Sequence, residues 1–210
     1  MIMQSGTIPS LRTFTASQAF GAWRNTSTIL GCGDASQDLN AVMQCMRNPN
    51  LTTADILEVA HLYTWLPSID NTLVFQDYLA RAAAGNVTKI PFLIGNTDNE
   101  AGVFASQILM TGEPEQNWSQ FTNNTFACLA GARANVSATL GVKTWRYRYF
   151  GDFSNLQIPK NVDGGAFHIT DIYSVFETWP TGEGIPPATS EQIALGKYMR
   201  GDWGGFCKGQ

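Results

Sequence analysis

The residues of this 210-residue chain that are best suited to catalysis are its histidines and a group of carboxylates near position 100. Any mechanism that needs an imidazole must use His61 or His168, since the sequence holds no other histidine. His61 lies on the apolar stripe of a helical pattern, which favours a structural role. Asp98 and Glu100 occupy a polar turn that follows an apolar run. A carboxylate beside an imidazole holds one tautomer of the ring and stabilises its charged form, so acid–base chemistry is expected.

The spacing of the four cysteines argues against a metal site. Cys32, Cys45, Cys128 and Cys207 include no CxxC pair and have no neighbouring histidine, so no metal or cofactor is expected. The short separation of Cys32 and Cys45 permits a disulfide, and four buried free thiols are the alternative.

Six sequons make the chain a candidate for N-linked glycosylation. They exceed the number that the content of asparagine, serine and threonine predicts by chance, and they lie at Asn25, Asn50, Asn86, Asn117, Asn123 and Asn135. This excess predicts a secreted, extracellular glycoprotein. Residues 1–6 nevertheless contain neither the basic nor the apolar region of a secretion signal. We therefore take as a hypothesis that the chain is a piece of a longer protein.

The overall composition excludes several classes of protein. Charged residues make up 14 % of the chain and hydrophobic residues 44 %, with a net charge of -4. Few charges and many aromatic residues are the opposite of a disordered composition. A net negative charge argues against a nucleic-acid partner. No apolar run approaches the ~20 residues of a membrane-spanning helix.

Two segments with strand patterns position the candidate residues. Residues 89–95 (KIPFLIG) are almost continuously apolar, which predicts a central parallel strand. Residues 142–150 (VKTWRYRYF) alternate and are rich in aromatic residues, which predicts a second strand. Residues 1–4 are compatible with the end of another strand, closed by a turn at residues 5–6. Residues 74–84 fit either a strand or a helix. Helical patterns cover residues 15–30, 53–61, 100–110, 115–123, 126–140, 169–176 and 190–207, and a further helix is capped by residues 34–36 and ends at 47.

Strands that alternate with helices predict an α/β fold with a largely parallel sheet. Two or three strands alone would leave poorly buried edges, so we expect only part of a sheet. Reactive groups in such sheets lie on loops at the carboxyl ends of the strands. Glu100 follows one predicted strand and His168 follows the next. An acid followed by a histidine is the chain order of the last two triad members in α/β-hydrolases.

Several motifs, in the same order along the chain, resemble the C-terminal part of a type-B carboxylesterase or lipase. This is the cholinesterase-like family, which includes fungal secreted esterases. The motifs span almost the whole chain, and they are MIMQSGT, GCGDASQDLNAVMQCMR, WLPSID with the following stretch to GNTDNEAGVF, TWRYRYFGDF, GGAFHITDIYSVF and YMRGDWGGFCKG. The resemblance implies an incomplete α/β-hydrolase fold, with residues 1–210 as the C-terminal portion of a single domain.

Carried over by position, the resemblance makes Glu100 the acid and His168 the base of a Ser-Glu-His triad that hydrolyses carboxylic esters. Asp98 is the competing acid, but the family register favours Glu100. The family has glycine directly after the acid, whereas this chain has Ala101. Asp171, three residues after the histidine, is expected to be an ordinary carboxylate at the start of a helix.

The same resemblance implies a disulfide between Cys32 and Cys45. It places the usual partner of Cys128 beyond the end of this chain, and a pairing of Cys128 with Cys207 is the alternative.

No G-x-S-x-G nucleophile motif occurs in the 210 residues. By family order the nucleophile belongs to an N-terminal half that precedes Met1, so the chain as given is expected to be inactive. Its partners are then that missing half and a small-molecule or lipid ester. The alternative is a non-catalytic, cholinesterase-like adhesion or binding module, against which the presence of Glu100 and His168 counts.

Overall fold

The computed structural model describes residues 1–6, 13–34, 38–108, 116–158 and 164–209, with only the backbone of residues 79, 106–108, 116 and 117. The chain divides into two compact units, one formed by Met1–Ser10 with Leu79–Gln210 and the other by Leu11–Tyr78. In chain order the described elements are β1 (Ile2–Gln4), α1 (Ala16–Ile29), α2 (Leu39–Met46), α3 (Thr53–Ala60), α4 (Tyr78–Ala83), β2 (Phe92–Thr97), α5 (Ala101–Ile108), α6 (Gln116–Thr122), a π-helical turn (Asn123–Ala127), α7 (Cys128–Thr139), β3 (Thr144–Tyr149), α8 (Thr170–Phe176) and α9 (Ser190–Cys207).

The larger unit is built around a parallel sheet of three strands in the order β1-β2-β3. The central strand β2 is buried along its whole length, as its apolar run predicts. It begins at Phe92 rather than at residue 89, because Pro91 has no N–H to donate to a ladder. The prediction of a parallel sheet with an apolar central strand is confirmed.

Helices cover both faces of this sheet. Successive side chains of a strand point to opposite faces, so neighbouring residues of β2 show what covers each face. Phe92 carries the guanidinium of Arg133, a residue of α7, over its ring. Leu93, the next residue, belongs to a buried cluster on the other face together with Met199 and Trp203 of α9. Layers of helix, sheet and helix are thus present in this unit.

The smaller unit contains the helices α1, α2 and α3. Thr15 and Thr52 close the first turns of α1 and α3 with capping boxes, in which each side chain and the side chain three residues later satisfy free backbone N–H groups. Asp38, rather than residues 34–36, caps α2, because its carboxylate accepts from Asn40 N and Ala41 N. Residues 35–37 lie outside the described part of the chain.

Other element boundaries differ from the sequence predictions for local reasons. The ambiguous segment 74–84 forms a turn followed by the helix α4. The carboxylate of Asp70 accepts from the N–H groups of Thr72, Leu73 and Val74, so this stretch is a turn and not a strand. The helix expected at 126–140 begins inside the π-helical turn. Within the described residues, no helix has the length and apolar character needed to cross a membrane.

Candidate active site

The carboxyl ends of β2 and β3 bring together the two loops that carry the predicted acid and base. The strands are parallel neighbours, so the residues that follow them emerge at the same edge of the sheet. Backbone hydrogen bonds join the loops, with Asp98 N donating to Tyr149 O over 2.8 Å and Asn99 N donating to Ala166 O over 3.0 Å.

At this edge Glu100 and His168 are in direct contact, with 2.5 Å between Glu100 Oε2 and His168 Nδ1. The Glu100 side chain is fully buried, while 28 % of the His168 side chain is exposed. A carboxylate only accepts hydrogen bonds, so this contact places the proton of the neutral imidazole on Nδ1. The second ring nitrogen, Nε2, is then the one available to take a proton from a substrate or nucleophile.

The other oxygen of Glu100 is also fully engaged. Oε1 accepts from the backbone N–H of Thr97 and from the hydroxyl of Ser5, each over 2.7 Å. A buried carboxylate is costly unless such donors replace its water. These bonds fix the plane of the carboxylate and hence the direction in which Oε2 meets the histidine.

Ser5 is a site residue that the sequence interpretation did not assign. It directly follows β1, has a left-handed φ of 55°, and continues the sheet by donating from its N–H to Gly95 O over 2.9 Å. The available signal was its position at the carboxyl end of a third parallel strand. Residues at that position share the edge with Glu100 and His168.

Aromatic side chains from other elements pack against the imidazole. The rings of Phe104 on α5 and Phe126 in the π-helical turn have centroids 5.3 Å and 5.4 Å from that of His168. Phe121 makes edge contacts with both phenylalanines. We call these three residues the phenylalanine wall. It covers the histidine with apolar surface and so limits the access of water to the ring.

The turn that carries Glu100 accommodates an alanine where the resemblance implied a glycine. Ala101 is fully buried, and its N–H donates to the hydroxyl of Thr122 over 3.0 Å. The close approach to the histidine loop occurs one residue later, at Gly102. A Cβ atom there would lie 2.6 Å from Gly164 O and 3.0 Å from Phe167 Cβ. Glycine is therefore required at position 102.

The remaining carboxylates and the other histidine do not join this pair. Asp98 is 40 % exposed and forms an ion pair with Arg148 over 2.7 Å. His61 ends α3 in the smaller unit and is exposed, so its expected place in an apolar core is wrong. Asp171 is in the first turn of α8, as expected, but it is fully buried and hydrogen-bonded rather than ordinary.

The described cysteines form one disulfide, between Cys32 and Cys45. This matches the pairing that the resemblance implied, and the alternative of four buried free thiols is wrong. Cys128 and Cys207 are free and exposed, so they are not paired with each other.

Five of the six sequon asparagines are exposed to solvent, and the side chain of Asn117 lies outside the described residues. The exposed five are Asn25, Asn50, Asn86, Asn123 and Asn135. Solvent exposure is the condition for a sequon to carry a glycan on a folded protein.

Comparison with known proteins gives one family. The profile of the carboxylesterase family matches residues 1–148. The chlorogenic acid esterase of Aspergillus niger is 25 % identical over 187 residues, which are 87 % of this chain and 35 % of that protein. The crystal structure of the Geobacillus stearothermophilus carboxylesterase EST55 at pH 6.8 has a TM-score of 0.71 at 17 % identity, and that at pH 6.2 has 0.67 at 16 %. Both cover 96 % of this chain.

This chain spans about a third of the fungal relative and just under half of the bacterial chains, which it covers to 46 % and 47 %. The likeness to the bacterial structures establishes that the three-stranded parallel sheet and its helices are part of an α/β-hydrolase fold. The predicted resemblance is confirmed. The chain belongs to the carboxylesterase family, and it corresponds to the C-terminal part of a type-B carboxylesterase.

Proposed function

We propose that this chain supplies the acid and the base of a serine esterase that hydrolyses carboxylic esters. The observation that carries the proposal is the contact between buried Glu100 and partly exposed His168 at the carboxyl ends of adjacent parallel strands. A histidine whose Nδ1 is bound by a buried carboxylate is oriented for proton transfer at Nε2. Membership of the carboxylesterase family supports the ester bond as the target.

In the proposed reaction His168 Nε2 takes the proton of a serine hydroxyl as the serine oxygen bonds to the ester carbonyl carbon. The tetrahedral intermediate collapses, the bond to the alcohol oxygen breaks, and His168 gives its proton to the departing alkoxide. Water then attacks the acyl-enzyme by the same steps and releases the carboxylic acid. Throughout, Glu100 stabilises the imidazolium and keeps its orientation.

The serine in this proposal comes from outside the 210 residues. No G-x-S-x-G motif occurs in the chain, and the relatives it matches are two to three times as long. We infer that residues 1–210 are the C-terminal portion of a single domain whose N-terminal half carries the nucleophile and the oxyanion hole. The isolated chain is then inactive, because two triad members without a nucleophile cannot form an acyl-enzyme.

We further propose that the protein is secreted and glycosylated and acts on a small-molecule or lipid ester. Exposed sequons and a disulfide support an oxidising, extracellular setting. The phenylalanine wall beside His168 supports an ester with an apolar portion, as esterase and lipase substrates have. The alternative of a non-catalytic binding module is not favoured, since it gives no reason for burying Glu100 against two donors and the histidine.

The first test is the sequence of the genomic DNA upstream of the codon for Met1. The proposal expects an in-frame segment with a G-x-S-x-G motif, and its absence would contradict an active enzyme. The full-length protein, or the chain co-expressed with that segment, should react with a fluorophosphonate serine probe and hydrolyse p-nitrophenyl butyrate, whereas the 210-residue chain alone should do neither.

Matched histidine variants of the assembled protein test the assignment of the base. His168→Ala should lower kcat/KM by at least about 10³-fold. His61→Ala removes an exposed histidine of the smaller unit and should leave kcat/KM within about twofold. Activity that survives His168→Ala would overturn the proposal, as would a folded full-length protein that the probe does not label.

A further inference from the structure

A second buried carboxylate, which the proposed reaction does not use, lies three residues after His168. Asp171 is fully buried, and the partners described for it are neutral. Its Oδ2 accepts from Tyr147 Oη over 2.7 Å and from Gln4 Nε2 over 3.0 Å. Its Oδ1 accepts from the N–H of Ile172. Burying a carboxylate without a counter-cation is costly, so this arrangement calls for a reason.

These bonds tie the start of α8 directly to the two outer strands. Tyr147 belongs to β3 and Gln4 ends β1. The Tyr147 ring also lies over Gly95 of β2, where a Cβ atom would come within 2.3 Å of it. Burial and the nearby charge of Asp171 hold the pKa of Tyr147 far above its usual range, so its hydroxyl remains a donor. The Asp171 carboxylate is thus a fixed point of the sheet.

The segment between this fixed point and the base contains a strained residue. Ile169 has a φ of 77°, a left-handed conformation that is an outlier for a β-branched side chain. It turns the chain sharply between His168 and Thr170, the first residue of α8. The turn is also closed by Thr170, which donates from its N–H and its hydroxyl to Phe167 O. Strain of this kind persists only where the surroundings impose it.

Two consecutive residues at the carboxyl end of β1 connect the buried carboxylates of Glu100 and Asp171. Ser5 donates to Glu100, and Gln4 donates to Asp171. A closed ring therefore runs from Glu100 through Ser5 and Gln4 to Asp171, then along the chain to His168 and back to Glu100 across the contact of 2.5 Å. The ring constrains the acid and the base from both sides.

We propose that Asp171 is a positioning residue, which holds the strained turn at Ile169 and thereby keeps His168 on Glu100. The inference rests on the proposed function for the role of that pair. If the anchor is removed, Ile169 can relax to a negative φ, which moves the imidazole away from Glu100 Oε2. The Nδ1 proton then exchanges with water more readily.

The experiment follows the Nδ1 proton of His168 by NMR on the assembled protein, in which this chain is joined to or co-expressed with its N-terminal half, with isotope-labelled histidine. The His168→Ala variant identifies the His168 signal by its absence, and His61→Ala should leave that signal in place. In the wild-type chain we expect a downfield Nδ1–H signal that is lost in Glu100→Gln. In Asp171→Asn the exchange of this proton should be at least about tenfold faster. The matched control is Asp152→Asn, which neutralises an exposed aspartate and should leave the exchange unchanged.

A rescue variant separates positioning from a general loss of structure. Glycine adopts a left-handed φ without strain. Adding Ile169→Gly to Asp171→Asn should therefore return the exchange rate to within about threefold of the wild-type rate. A folded Asp171→Asn chain with wild-type exchange would overturn the inference, and so would faster exchange that Ile169→Gly does not reduce.

If Asp171→Asn does not fold, Tyr147→Phe replaces it, because that change keeps the carboxylate and removes one donor. It should also accelerate exchange, and an unchanged rate would overturn the inference. If the wild-type signal is present but its exchange rate does not change in Asp171→Asn or Tyr147→Phe, only this inference is rejected. A folded, assembled wild-type protein without the signal rejects the Glu100–His168 pair, and with it both the proposed function and this inference.

Discussion

Glu100 Oε2 and His168 Nδ1 lie 2.5 Å apart although 68 positions separate the two residues in the chain. Neither loop dictates this contact alone. It follows from the parallel pairing of β2 and β3, which delivers both residues to one edge of the sheet. Both members of the pair lie within the described residues, so its geometry does not depend on which serine serves as the nucleophile.

Replacing the acid tests which carboxylate serves the histidine. Glu100→Gln keeps the shape of the side chain but removes the charge that stabilises the imidazolium, and we expect kcat of the assembled esterase to fall by about 10⁴-fold. Asp98→Asn is the matched control, because Asp98 is exposed and paired with Arg148. It should change kcat by less than about twofold. A larger loss in Asp98→Asn than in Glu100→Gln would contradict the assignment.

The hydroxyl of Ser5 should contribute through Glu100. Ser5→Ala leaves Oε1 of Glu100 with the Thr97 N–H as its remaining described donor, and a buried acceptor that loses a bond costs about 1–3 kcal/mol. We expect kcat to fall by about tenfold with little change in KM. Steady-state kinetics on p-nitrophenyl butyrate measure this, with Ser154→Ala, an exposed serine, as the control. An unchanged kcat in Ser5→Ala would show that Thr97 alone suffices.

Local strand patterns predicted that Glu100 and His168 follow neighbouring strands, and the family resemblance favoured Glu100 over Asp98, whereas Ser5 required knowledge of the tertiary structure. The apolar run before Glu100 and the aromatic strand before His168 each indicate a strand from neighbouring residues. Ser5 meets Glu100 across 95 positions, and its strand β1 has only three residues. Such a short segment has too few residues to show a period. Its place beside β2 follows only from the assembled sheet.

The special conformations at the site were also invisible to pattern analysis. The phenylalanine wall depends on the π-helical turn at Asn123–Ala127, where a helical period of 3.6 residues no longer applies. The left-handed φ of Ile169 contradicts the preference of a β-branched residue. Sequence reasoning fails at such points because the tertiary contacts around the histidine override the local preference.

The two free cysteines and the two disulfide-bonded cysteines should differ in their reactivity toward alkylating reagents. Without reductant, iodoacetamide should modify Cys128 and Cys207, which are exposed and free, and leave Cys32 and Cys45 unmodified. Mass spectrometry of the peptides checks this. Reduction of the bond, which links residues 13 positions apart, should lower the free energy of unfolding by about 2–4 kcal/mol. Modification of all four cysteines before reduction would contradict the disulfide.

The central strand should dominate the stability of the larger unit. Ile94 is fully buried in β2, so Ile94→Ala leaves a cavity and should lower the free energy of unfolding by about 2–5 kcal/mol. The control is Ile185→Ala, at a side chain that is 38 % exposed and should cost less than about 1 kcal/mol. Urea titrations of the two variants measure the difference. Equal losses of unfolding free energy in the two variants would show that Ile94 does not belong to the core that stabilises this unit.

The stability of the chain should fall at high pH through the buried tyrosine of β3. Burial, with the charge of Asp171, raises the pKa of Tyr147 in the folded state above its unfolded value of about 10. The contribution of Tyr147 is therefore fully present below about pH 10 and is lost as the pH rises further, since the unfolded chain releases the proton first. Tyr147→Phe should lower stability at pH 7, because Asp171 loses a donor, and should flatten the decline above pH 10. The slope of unfolding free energy against pH measures this. An identical slope in Tyr147→Phe and the wild-type chain would show that other groups set the alkaline limit.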